Sequence, residues 1–196
     1  MTKYIPAIVT GLVVALLLAF GLNSLAATAG QPPSLSTWLP PIIFGTLVAY
    51  VMANLVGTKL AKAATAADKA AALTLRPEPG QALLIVLREG FVGKAAGLNV
   101  AVDDRVFAQL KSPRFTALSI APGPHKASAG FSGLAAAQSK AATEDFTAAP
   151  GEVVAFRVLL SMGMLQNTVK MERVAVPAAL VPKLHSMPMI APIPIV

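Results

Sequence analysis

The chain contains no cysteine. That one absence excludes disulfides, thiolate metal sites, a cysteine nucleophile and a lipoprotein anchor, and it leaves the redox compartment open. Histidine is almost as scarce. His125 and His185 are the only two, neither has a carboxylate beside it in sequence, and a metal site needs three or four ligands. Charge is missing from one long stretch, for residues 4–58 include no Asp, Glu, Lys, Arg or His. A transport route through a membrane is normally marked by such groups, so this stretch argues against one. Charged residues make up 13% of the 196-residue chain and the mean hydropathy is +0.67, outside the range of an ordinary soluble domain.

What fills the uncharged stretch is apolar, broken only by Ala29-Gly30-Gln31-Pro32-Pro33-Ser34. The pattern predicts two membrane-spanning helices, at residues 5–27 and 38–58, joined by a short loop. Each is close to the roughly 20 residues that cross a bilayer, and an isolated span must be helical to satisfy its own backbone. Pro6 and Pro40-Pro41 fall in the expected first turns, where a proline is tolerated, and Trp38 falls at an expected interface. Small residues recur every fourth position: Ala7, Gly11, Ala15 and Ala19, then Gly45, Ala49, Ala53 and Gly57. Such ladders let helices approach closely and are expected to pack on each other or on a partner's helices. Asn54, polar within the second span, is expected to act as structural glue by bonding Thr10 or a nearby carbonyl.

Lys3 precedes the first span, and Lys59, Lys62 and Lys69 follow the second, with an uncharged loop between. The positive-inside tendency then puts both termini in the cytoplasm of a bacterial inner membrane. A second reading makes the first segment a cleaved signal peptide ending near Ser24-Leu25-Ala26. Its apolar region exceeds the usual length, and the orientation is the same either way. Much of the net charge of +7 flanks the spans, where it sets orientation and attracts anionic headgroups. The basic and aromatic clustering that nucleic-acid binding requires is missing.

Four regions follow: a hairpin over residues 1–58, a helical juxtamembrane stalk and linker over 59–80, a β-domain over 81–176, and an apolar proline-rich tail over 177–196. Residues 59–73 have high helix propensity and are expected to continue the second helix until Arg76-Pro77-Glu78-Pro79-Gly80 stops it. Strands are predicted at 82–88, 99–102, 106–110, 115–121, 125–131, 145–148, 153–161 and 168–174. Asp103-Asp104-Arg105 makes a hairpin turn, and Pro122-Gly123-Pro124 lets 125–131 return antiparallel to 115–121. Residues 133–143 read as a loop or short helix. The expected fold class is therefore α+β, a transmembrane hairpin followed by an antiparallel β-sandwich.

Four segments carry a resemblance: Leu87-Arg88-Glu89-Gly90; Val100 to Leu110 around Asp103-Asp104; Ile120-Ala121-Pro122-Gly123-Pro124-His125; and Ala149-Pro150-Gly151-Glu152-Val153. In this order they resemble the PEGA-like β-sandwich domains of bacterial envelope and membrane proteins, over about half the chain. The shared motifs are turn motifs, so the resemblance implies a fold and names no activity. Asp104 stands where that family usually has glycine. Many such relatives are extracytoplasmic, in conflict with the orientation that the lysines imply.

No catalytic, cofactor or metal residues are expected. Glu144-Asp145 and Asp103-Asp104 read as solvated charge, and the glycines of residues 90–97 lack the ending of a phosphate loop. Gly163 reads as a bulge or turn. The proline spacing of the tail forbids a helix or a central strand. Being apolar, the tail is expected to lie in a partner's groove or along the membrane through Pro188, Ile190, Pro192, Ile193, Pro194 and Ile195. The expected function is a non-catalytic accessory or scaffolding subunit of a membrane complex, with lipids and other integral membrane subunits as partners. The alternative is a membrane-tethered module that binds a peptide, glycan or lipid headgroup.

Overall fold

The computed structural model describes residues 2–32, 34–56, 61–132, 134–137, 139–161, 167–175 and 177–193, without the side chains of Asn54, Leu55 and Leu134. The chain forms two compact units, Met1–Val56 and Gly57–Val196.

The first unit is a pair of helices, α1 (Ile5–Thr28) and α2 (Leu35–Leu55), both long and apolar enough to cross a membrane. Bulky side chains such as Ile8, Leu17, Phe20 and Ile43 face outward, while Ala7, Ala19 and Ala53 are buried. The small-residue faces therefore meet within the hairpin. A Cβ on Gly11 would lie 2.5 Å from the Gly45 carbonyl oxygen and 2.6 Å from the Ala49 Cβ; one on Gly45 would lie 2.5 Å from the Gly11 carbonyl and 2.6 Å from the Ala15 Cβ. Any side chain at either glycine would push the backbones apart. Thr10 donates back to the Pro6 carbonyl of its own turn. One polar link between the helices is Asn23, which accepts from the Thr37 hydroxyl at 3.1 Å. Helix α2 starts three residues earlier than the sequence suggested, which puts Pro40 and Pro41 inside it. Gly57 and the Asn54 side chain lie outside the described residues.

Among the described residues, the second unit has α3 (Ala66–Leu73), nine strands and a C-terminal helical segment. Strands β1 (Ala82–Arg88), β4 (Arg114–Ile120), β6 (Ser139–Lys140), β8 (Val153–Ser161) and β9 (Asn167–Arg173) form one sheet in the order β4-β1-β8-β9-β6. Strands β2 (Leu98–Val102), β3 (Arg105–Leu110), β5 (Gly123–Phe131) and β7 (Ala142–Ala148) form the other, in the order β3-β2-β5-β7. The antiparallel expectation fails at two places, since β1 runs parallel to β8 and β6 parallel to β9. Strand β5 also does not return along β4. It crosses to the second sheet and pairs with β2 and β7. Residues 133–143 contribute a one-turn helix, α4 (Leu134–Ala137), then β6 and the start of β7. Gly163 lies outside the described residues.

One apolar core is shared by the two sheets and includes Leu84, Val86, Phe107, Phe146, Phe156 and Ile190. Phe146 and Phe156, from opposite sheets, meet edge-on at 5.3 Å. A second core covers the outer face of the five-stranded sheet, where Leu83, Ile85, Leu87 and Phe115 pack under Leu180, Leu184, Met187 and Met189. Every residue of β1 is consequently buried. This double cover explains its unbroken apolar sequence, the signature of a strand with two buried faces.

The tail is therefore part of the domain's own fold. Pro182 occupies the tolerant first turn of α5 (Val181–Ser186), so proline does not prevent a helix there. Beyond α5 the chain is extended and bonded: the Ile190 amide donates to the Phe115 carbonyl at 2.8 Å, the Phe115 amide to Pro188 at 3.2 Å and the Ile193 amide to Phe107 at 2.7 Å. Residues 61–65, ahead of α3, are extended rather than part of a helical stalk. Ala63 bridges Ile190 antiparallel, the Ala64 amide donates to Met189 and the Ala191 amide donates to Lys62. The helix restarts only at α3, where Thr65 and Asp68 form a reciprocal capping box that satisfies the leading amides.

Truncation of fully buried Leu184 to alanine is expected to destabilise the domain by about 3 kcal/mol, read as a lower urea midpoint. In the hairpin, cysteines introduced at Ala7 and Ala53 should cross-link efficiently in a chain that has none of its own. Adding Gly11→Ile should cut that yield severalfold.

Candidate functional site

Arg88 ends β1 and is 1% exposed. Burial pulls its pKa down to about 10, so it remains a cation at neutral pH. Among the described residues no carboxylate pairs with it. Its guanidinium donates instead to the carbonyls of Ala96 (2.6 Å), Leu110 (2.8 Å) and Gly93 (2.8 Å) and lies over the Phe131 ring at 5.6 Å. The planar fork suits three diverging acceptors. Loop 89–97 is thereby closed over the sheet end with its carbonyls turned inward, the reverse of a phosphate loop.

A turn at residues 111–114 is stitched to the same loop. The Ser112 hydroxyl donates to the Gly90 carbonyl at 2.6 Å and the Ser112 amide to the Lys94 carbonyl at 3.2 Å. Together they frame a recess of about 490 Å³ lined by Lys94, Ala95, Lys111, Ser112, Pro113, Arg114 and Pro188. Its three charges are all positive. Phe91, on the same loop, is 86% exposed. Glu89 faces Arg157 at 2.8 Å and Lys183, and so ties α5 to the end of β1.

A second recess, about 650 Å³ and open, is lined by Asp103, Pro124, His125, Lys126, Asp145, Phe146, Thr147 and Arg173. His125 and Asp103 form its centre. The His125 Nδ1 is 2.7 Å from the Asp103 carboxylate and Nε2 is 2.7 Å from the Ala121 carbonyl. Only the protonated ring can donate to both. Partial burial opposes the charge on His125, but the bond to Asp103 and the Ala121 carbonyl outweigh it and raise the pKa. For Asp103, burial pushes upward, while bonds from the Lys126 amide and His125 and the nearby charges of His125 and Arg105 bring the pKa below the usual value. Asp103 and Asp104 hold the β2–β3 turn at φ of 49° and 63°, so aspartate accepts the left-handed conformation that glycine more often supplies. The Asp103 carboxylate accepts from the Lys126 amide at 2.9 Å and extends the β2–β5 ladder past its last strand pair. Arg173 is neutralised by Glu152 at 2.8 Å. His125, Asp103 and Arg173 thus have partners within the fold.

The expected packing residues Gly11, Ala15, Gly45 and Ala49 come together at the helix crossing, and Ala19 and Ala53 are buried. Of the tail residues, Ile190 is sealed in the domain's own core at 3% exposure and Ile193 is 61% exposed. Pro188 is exposed and Pro192 half-buried. Pro194 and Ile195 lie outside the described residues. An occupied tail cannot lie in a partner's groove along its length, so that expectation is corrected for Ile190. Sequence reasoning missed Asn23 with Thr37 and the basic recess. The first pair had a signal, two polar residues close to the two ends of one short loop. The recess joins segments about twenty residues apart in sequence and had none. Among the described residues, no three histidine or acidic side chains gather as a metal site would need. A scan against protein-family models finds no match, and neither does a search of curated proteins.

His125 titrates above the ordinary histidine value, so its stabilising contribution is complete below that value and is lost as pH rises through the raised pKa. Asp103 contributes above the ordinary aspartate value and loses its contribution as pH falls through its lowered pKa. The domain should therefore be more stable at about pH 6 than at about pH 8.5. Asp103→Asn should lower the His125 pKa, followed by NMR, and flatten that difference.

Proposed function

We propose that the chain is a membrane-anchored accessory protein without catalytic activity, with the two-helix hairpin as its anchor and the β-domain, read as a β-sandwich, as its contact module. The observation that carries this reading is the Gly11–Gly45 crossing. The hairpin satisfies its small-residue faces internally and turns leucine, isoleucine and phenylalanine outward, as a lipid-embedded pair does in the absence of a hydrophobic drive between helices. Lysine placement favours a bacterial cytoplasmic membrane with both termini inside. Partners of this reading are lipids and other integral membrane subunits, which would meet the outward helix faces and the domain surface; the tail has a smaller share than its sequence suggested. The alternative, a tethered ligand-binding module, is favoured by the basic recess on the loop that also carries exposed Phe91.

The full-length chain should stay in the membrane pellet after alkaline carbonate extraction, and release into the supernatant would overturn the anchor. In mild detergent it should co-purify with other membrane subunits, whereas a lone monomer would sink the subunit reading. A reporter fused after residue 196 should respond from the cytoplasmic side, and external labelling would reverse the orientation.

A further inference from the structure

We infer that loop 89–97 and turn 111–114 form a docking face for an anionic phospholipid surface, with Phe91 as the apolar contact and Lys94, Lys111 and Arg114 as the headgroup contacts. Three features of the face point the same way. First, the recess in it carries charge of one sign: no carboxylate lines it, Glu89 at the start of the loop is engaged by Arg157 and Lys183, and among the described residues none of the three cations has an ion-pair partner. Second, the loop that carries the exposed ring is held in place. Phe91 is 86% exposed on a loop that buried Arg88 fixes through the Gly93 and Ala96 carbonyls and that Ser112 fixes through Gly90. An exposed apolar ring on the same fixed loop as a cation is the arrangement that interfacial segments use, with the ring entering the headgroup boundary and lysine or arginine meeting phosphates. Third, Ala63 is pinned to Ile190, and the short stretch from the end of α2 at Leu55 to Ala63 can reach at most about 30 Å. A tether of that length keeps lipid headgroups at high local concentration, and in this respect the inference rests on the anchored reading.

A phosphate in solution would use the three cations and leave Phe91 without a role. An acidic protein would engage the charges but gives no reason for a single ring on a pinned loop. The bilayer surface uses both.

The test uses the full-length chain reconstituted in vesicles. Because the chain has no cysteine, Ala95→Cys, at an exposed position of the same loop, gives one attachment point for an environment-sensitive fluorophore. In vesicles of phosphatidylcholine with about 30% phosphatidylglycerol, emission should shift to the blue and be quenched by spin-labelled lipid. In pure phosphatidylcholine it should not, and salt at about 0.5 M should reverse the shift. Each of Lys94→Ser, Lys111→Ser and Arg114→Ser should lower the ratio of docked to undocked domain about fivefold, with an unchanged urea midpoint showing that the domain still folds. Phe91→Ser should abolish quenching while the charge dependence remains. Equal signals in the two lipids would overturn the inference. So would reproduction of the shift by inorganic phosphate or by polyglutamate in phosphatidylcholine vesicles, the first pointing to a soluble anion and the second to an acidic protein. Loss of the chain from both vesicle types on carbonate washing would instead be the failure of the anchor.

Discussion

Because β1 carries an apolar side chain at every position from Ala82 to Leu87, water must be kept from both of its faces, and the rest of the domain is arranged around that requirement. The inner face is met by the second sheet through Val100, Phe107 and Phe146. The outer face has no third sheet to meet, and Leu180, Leu184, Met187 and Met189 of the C-terminal segment close it. The parallel neighbour β8 follows from the same constraint. A central strand needs partners at both edges, and β4 and β8 supply them. Once the tail is committed to this cover, its last described residues are aligned with Lys62, Ala64 and Phe107, and the two ends of the domain are drawn together.

Polar groups are handled by local pairing. Where β1 finally turns polar, at Arg88, the cation remains buried and is answered by three backbone carbonyls and the Phe131 ring. Partnering a buried charge is obligatory, and doing so with carbonyls rather than an acid leaves Lys94, Lys111 and Arg114 as the charges that line the recess above it. The His125–Asp103 pair is the contrasting case: a cation and an anion cancel each other and lock a turn onto a neighbouring strand. One arrangement leaves a surface with charge to offer, and the other consumes it.

Legibility in the sequence followed how local each determinant was. Residues 82–88 and 153–161 read as strands because their apolar runs carry the signal themselves, and both match the structure. The Asp103-Asp104 turn was readable for the same reason. Pairing partners were not. Nothing in β1 or β8 alone says that they run side by side, and Pro122-Gly123-Pro124 marks a reversal without saying that β5 leaves the sheet. Proline in the tail was read by its local rule, although Pro182 sits in a first turn where the rule relaxes and Ile190 is decided by a core formed from distant strands. The small-residue ladders were legible because period and size are both local properties. The basic recess was not, since its cations are assembled by a loop and a turn that only the folded sheet brings together.

Covering β1 with the segment that contains α5 has a consequence for synthesis. Every strand of the five-stranded sheet leaves the ribosome before the residues that seal its outer face, so the nascent domain carries an open apolar surface until residues 180–190 are made. Chain growth at about 5–20 residues per second makes that interval one of seconds, during which Leu83, Ile85 and Phe115 are available to chaperones or to misassembly. Completion of this domain is therefore timed by the segment that contains α5, and the pairing of Lys62 with Ala191 has to wait for it.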